Sequence, residues 1–297
     1  MTLGIGDFFH LNGNFNIEKS STTVSVVHNE TTTSVEADLL TIGASGLDAF
    51  AGIDGGTTDA LGFSLTGLEF GLAILGEKGG AARSWYGLKA NASSAAFVGI
   101  EDVELSVSNV ALLLHQANSD GSLVDYSASP LNVVTGPDAV NDVVTLDMDG
   151  ASGELLQLSG TFAIQLFDFF RIDGSMALEK SSGSIVLSDG STVATDRLTI
   201  GGANLNAFIG AHGGSDPNNR GDNAIGFNAV GTSFALALHQ AGNGQTYTSL
   251  RAQTGAVGFI GIDNVTLDAT GLEVRINTVD TGEVVVDYAD GTSRRLQ

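Results

Sequence analysis

The chain has 297 residues, 42% of them hydrophobic, with no cysteine and a formal net charge of −22. That much apolar material supports one large or two medium cores, while the lack of cysteine excludes disulfides, thiolate metal sites and a cysteine nucleophile. With 34 acidic against 12 basic residues, nucleic-acid phosphates and anionic lipid surfaces are poor partners, and divalent cations, calcium first, are favoured counterions.

The start, MTLGIGDFFH, lacks the basic region and apolar stretch of a secretory signal. No apolar run reaches the ~18 residues of a spanning helix, so no membrane insertion is expected and any export is directed from elsewhere. From Phe9 the chain alternates, with Leu11, Gly13, Phe15 and Ile17 on one parity, the signature of a half-buried strand. LTIGASGLDAFAG (40–52) and ALGFSLTGLEFGLAI (60–74) follow. In the latter Leu61, Phe63 and Leu65 switch parity after Gly67 to Phe70, Leu72 and Ile74, as a β-bulge requires. GLEFGLAILGEK (67–78) also fits a helix, but strand is favoured. FVGIEDVEL (97–105), the turn SDGS (119–122) and VDY (124–126) complete the stretch.

After Val143–Asp168, which has no counterpart before Phe8, the whole series returns. FFRIDGSMALEKSS (169–182) repeats FFHLNGNFNIEKSS (8–21) with 7 of 14 positions identical. LTIGGANLNAFIG (198–210), AIGFNAVGTSFALAL (224–238), FIGIDNVTL (259–267) and VDY (286–288) follow in order, at shifts of 158 to 164. A period this long organises the whole chain. It is read as somewhat less than two copies cut from a longer protein, residues 1–128 holding the first unit and 129–297 the second. Asp-Gly turns recur at SDGS (188–191) and ADGT (289–292). The expectation is an elongated all-β protein of two tandem homologous antiparallel units, with long strands, hairpins and bulges.

Chemical candidates are sparse. His10, His28, His115, His212 and His239 fall in no paired-His or nucleophile motif. Across the copies His239 aligns with Leu75 and His115 with Asn277, so ordinary surface or edge histidines are expected. The loop AHGGSDPNNRGDNAIG (211–226) offers Asp216, Asn218, Asp222 and Asn223 as hard oxygen ligands for calcium. Its spacing fits no calcium-loop motif, and a solvated hairpin loop is the plainer reading. Arg220-Gly221-Asp222 spells an integrin-type tripeptide, which three residues in a Gly/Asp-rich chain produce easily. The acidic pairs of GIEDV (99–103) and GIDNV (261–265) read as turns. Trp85 and Tyr247, at matched positions, could stack on sugar or pack as sheet-edge aromatics. Sequons at Asn29, Asn91 and Asn264 matter only in a glycosylating pathway.

The run from FFRIDGSMALEKSSGSIVLSDGS through LTIGGANLNAFIG to FIGIDNVTLDATGLEV resembles the long tandem β-repeats of giant, acidic, cysteine-free bacterial surface and secreted, adhesin-like proteins. The resemblance rests on glycines and core hydrophobics. It implies an extracellular or cell-surface location, neighbouring repeats of the same chain as partners, and a spacer or scaffold role rather than an enzyme. The rival is a carbohydrate- or lipid-binding module with an apolar groove lined by Phe162, Phe170, Phe227 and Phe234, which a continuous open apolar surface would favour. A polysaccharide-acting enzyme ranks last.

Overall fold

The computed structural model describes residues 2–5, 9–55, 57–79, 82–100, 103–167, 169–214, 216, 220–221, 223–263 and 265–288. Its described residues hold no α-helix. They form β1 (Thr2–Ile5), β2 (Phe9–His28), β3 (Thr31–Ile53), β4 (Leu61–Glu77), β5 (Ser84–Val98), β6 (Val103–Gln116), β7 (Leu123–Val124), β8 (Leu131–Val134), β9 (Val143–Leu146), β10 (Leu155–Leu166), β11 (Phe170–Val186), β12 (Thr192–Ala211), β13 (Ile225–Ala241), β14 (Thr246–Ile260) and β15 (Leu267–Val279). The expectation of an antiparallel all-β chain with long strands and hairpins is met. GLEFGLAILGEK lies in strand β4.

The chain divides into two compact units, residues 1–99 with 108–158, and 100–107 with 159–297. In the first, β1 to β5 pair in sequence order. One face of that sheet is covered: β8 and β9 pair as a separate hairpin, and Val133 and Leu146 join Val26, Ala37, Leu39, Ala73, Leu75 and Trp85 in the core. Glycine admits this cover. A Cβ on Gly43 would lie 2.0 Å from the Val134 carbonyl oxygen, and one on Gly71 would meet Val133 and Val144. In the second unit β11 to β15 pair in order, and the core is Ile185, Leu187, Ala241, Tyr247 and Val286.

Local geometry recurs where the sequence does. The β3–β4 ladder shifts register around Leu47 and the β12–β13 ladder around Leu205. Gly67 has φ 60° and Gly231 φ 66°, a left-handed conformation that suits glycine. The Gly67 N–H donates to Asp48 Oδ1 at 2.9 Å and the Gly231 N–H to Asn206 Oδ1 at 3.1 Å. Each VDY segment crosses back onto the covered face: the Asp125 N–H donates to the Ser25 carbonyl and the Asp287 N–H to the Val186 carbonyl, both at 2.8 Å. The turns repeat too, Asp120 and Asp189 each accepting from the backbone and hydroxyl of the serine two residues on. ADGT (289–292) lies outside the described residues.

Only the covered face is packed on both sides, so the faces should differ in their tolerance of truncation. Leu75→Ala, at a fully buried site, is expected to cost about 2–4 kcal/mol. Ile17→Ala, 69% exposed on the other face, should cost under about 1 kcal/mol. Urea unfolding of both variants tests this, and equal losses would contradict it.

Candidate functional site

Directly opposed residues in an antiparallel ladder share a face, so the registers map the face that the hairpin leaves open. In the first unit one row runs Phe15, Ala44, Phe70, Ala90, and the next Ile17, Ile42, Leu72, Leu88. A third has Leu40, Ile74 and Tyr86. In the second unit the corresponding rows are Met176, Gly202, Phe234, Ala252, Val274 and Leu178, Ile200, Leu236, Leu250, Ile276. The bulges do not turn the faces over, because each adds one residue to a strand and so changes its parity while keeping its side. Beyond them lie Leu11, Ala49, Leu65, Ala95 in one unit and Ile172, Ala207, Ala229, Val257, Ala269 in the other. The last rows hold Ala51, Phe63 and Phe97, and Phe170, Ile209, Phe227, Phe259 and Leu267.

In a chain with 34 acidic residues, none of these rows contains a carboxylate. Many of the side chains face solvent: Ile17 is 69% exposed, Phe63 48%, Phe227 50% and Val274 52%. From the Phe63 row to the Ile74 row is about 35 Å at ~3.3 Å per residue, and four or five strands at ~4.8 Å make each field on the order of 500 Å². Soluble monomers seldom expose apolar patches beyond a few hundred Å², and those that do generally use them. This open apolar face is the candidate site in each unit. Of the four phenylalanines expected to line a groove, Phe170, Phe227 and Phe234 lie on this face, and Phe162 is half-buried on β10. Phe227 meets Phe259 edge-on, ring centroids 5.1 Å apart.

The other candidates fare differently. Trp85 and Tyr247 are 1% and 2% exposed. The Trp85 indole donates to the Ser122 carbonyl at 3.0 Å, so both aromatics are core and offer no sugar platform. The expectation of surface histidines fails for His115 and His239, 2% and 3% exposed. The His115 Nε2–H donates to the Val124 carbonyl at 2.8 Å, and Asn277, at the position aligned with it in sequence, donates to the Val286 carbonyl at the same distance. A buried ring here ties the crossing segment to the sheet, which an amide does equally well.

Of the calcium candidates, Asp216 and Asn223 are described, whereas Asn218 and Asp222 lie outside the described residues, as do Glu101, Asp102 and Asn264. Among described residues no three His, Asp or Glu side chains converge as a metal site. The loop instead holds a cation of its own. Arg220 is 5% exposed, donates to Asn228 Oδ1 at 2.9 Å and to the Gly214 carbonyl, and lies 5.3 Å from the Phe208 ring centre. The integrin-type reading therefore lacks a displayed arginine. A comparison with protein-family models, curated proteins and solved structures finds no match to this chain.

His239 makes the second unit acid-sensitive. Burial, with repulsion from Arg197 as a lesser cause, pulls its pKa down to about 4, against an ordinary value near 6.5. Between these values the unfolded chain binds the extra proton, so stability is complete above pH ~6.5 and drains as pH falls toward 4. From pH 7.5 to 5 this site should remove on the order of 2 kcal/mol. His239→Leu, which installs the residue found at the matched position Leu75, should abolish that part of the slope. Urea midpoints at the two pH values decide it, and an unchanged slope in the variant would count against the assignment.

Proposed function

We propose that this chain is a lipid-binding β module that carries apolar, acyl-chain-type ligands on the open face of each unit, in a bacterial cell-surface or secreted protein. The observation that carries the reading is the exposed apolar field, free of carboxylates in a chain of net charge −22. Water leaves such a surface at a gain of roughly 25 cal/mol per Å², so a ligand covering even a quarter of one field recovers on the order of 3 kcal/mol before ordering costs. On this reading the two units are tandem copies of one β unit, each with its own field, and neighbouring repeats of the parent chain extend the series. The module binds and holds, without chemistry of its own.

A second reading, the spacer or scaffold, draws on the recurrent geometry: the same bulge, the same carboxamide or carboxylate contact at its glycine, and the same crossing segment in both stretches. A spacer needs stacked units and no ligand. The two readings part on uptake of a neutral apolar probe.

The test is titration of a fluorescent long-chain alcohol into the protein and into an Ile17→Glu/Phe227→Glu variant, one charge per field at exposed positions. The wild type is expected to bind at micromolar probe, and the variant at least tenfold more weakly with a melting temperature within a few degrees. No binding by the wild type, or equal binding by the variant, would return the case to the spacer.

A further inference from the structure

Basic side chains are scarce in this chain, and almost all are spoken for. Lys78 pairs with Asp38, Arg83 with Glu77, Lys89 with Asp147, Arg171 with Glu104 and Asp173, and Arg197 with Glu179. Arg251 and Arg275 share Glu273, and Arg220 holds Asn228. Among the described residues the exceptions are Lys19 and Lys180, which lie 161 positions apart in the sequence repeat. Each is exposed and has no hydrogen bond or ion pair in contact; Lys19 acts on Asp38 only by a longer-range coulombic pull.

Their place in the ladder is the same. Lys19 lies opposite Leu40, in the row of Ile74 and Tyr86, and Lys180 opposite Leu198, in the row of Leu238. Both therefore stand on the apolar face, at its rim, and are the sole charges in the rows described. One row further out, Asp38 stands opposite Ser21 and Asp196 opposite Ser182. Both carboxylates are engaged: Asp38 accepts from Ser21 at 3.1 Å and pairs with Lys78 at the same distance, and Asp196 accepts from Ser182 at 2.8 Å. A lysine at such a rim can lay its stem along apolar surface and keep its ammonium in water. With Asp38 already in contact with Lys78 and no carboxylate in contact with either rim lysine, the two ammonium groups at the matched position can each take an anion from outside the chain.

We propose that Lys19 and Lys180 are headgroup sites, and that the ligand of each unit is a single-chain anionic amphiphile of the fatty-acid class. Its acyl chain lies on the apolar rows and its carboxylate meets the rim ammonium. The inference rests on the apolar-ligand reading above and adds headgroup charge, polarity of the bound molecule and a stoichiometry of one per unit. The field is about as long as the hydrocarbon core of a bilayer is thick, which is two acyl chains end to end, so one chain fits within it.

The experiment compares dodecanoate with dodecan-1-ol, same chain and different head, by calorimetric titration at low salt into the wild type, Lys19→Gln, Lys180→Gln and the double variant. The wild type is expected to take two dodecanoates, about three- to fivefold more tightly than the alcohol, the size of one exposed ion pair at low salt. Each single variant should lose that preference at one site, the double variant at both, and Lys→Arg replacements should restore it. Alcohol bound as tightly as acid by the wild type, or a preference that survives in the double variant, overturns the headgroup assignment alone. If neither molecule binds, the apolar-ligand reading falls and takes this one with it. Partition into phosphatidylcholine vesicles with no uptake of either amphiphile overturns it in favour of a membrane surface.

Discussion

Register is the constraint on which the rest depends. A one-residue slip in an antiparallel ladder moves every side chain of a strand to the other face. Here it would place carboxylates such as Glu36 and Asp38 against the hairpin of β8 and β9 and expose Ala37 and Leu39 in their stead. The bulges are the points of greatest danger, since each inserts a residue. At both Gly67 and Gly231 the left-handed glycine turns its N–H toward a side-chain oxygen from the neighbouring strand. That contact fixes where the extra residue sits and lets the strands on either side keep their faces.

From this register follows an unequal division of stability and charge. The covered face supplies most of the buried leucines and valines, with Trp85 and Tyr247, and the crossing segments accept hydrogen bonds from His115 and Asn277. The open face is almost as apolar, yet buries much less. Its side chains contribute mainly by packing sideways against one another across strands. The acidic residues gather at turns, on the covered face's margins and beyond the lysine rim. Asp120 shows how turns use them: hydrogen bonds from Ser122 and Asn118 hold its carboxyl far below the usual carboxylate range, so it fixes its turn while keeping its charge.

Much of this was legible in the residues. Alternation from Phe9 onward marks strands, glycine parity switches mark bulges, and Asp-Gly marks turns, because each is a local consequence of backbone geometry. Which face would be covered was not legible. Leu39 and Leu40 are neighbours of equal hydropathy, and one is core while the other is rim; the hairpin that separates them lies some ninety residues away in sequence. The same non-locality hid His115 and His239, whose burial depends on the crossing segments. It also turned Trp85 and Tyr247 from an apparent platform into core. In the loop at 211–226 the oxygen-rich composition drew attention to a metal, whereas the buried group is Arg220. The lysine rim could be suspected only from the matched sequence positions, and its place on the apolar face required the ladder.

The crossing segments have a consequence for how such a chain becomes folded. Nearly every strand pairs with its immediate neighbour in sequence, so a meander can grow strand by strand as the polypeptide emerges, with short loops to close at each step. Other contacts come late: Val26 meets Val124 and Leu187 meets Val286, each about a hundred residues on. Until those residues arrive, the half-built unit shows apolar surface on both sides. A chain that leaves a narrow exit N-terminus first would therefore pass through a two-sided sticky stage once per unit, ended each time by the arrival of a VDY segment. The period of the sequence sets the interval over which that exposure must be survived.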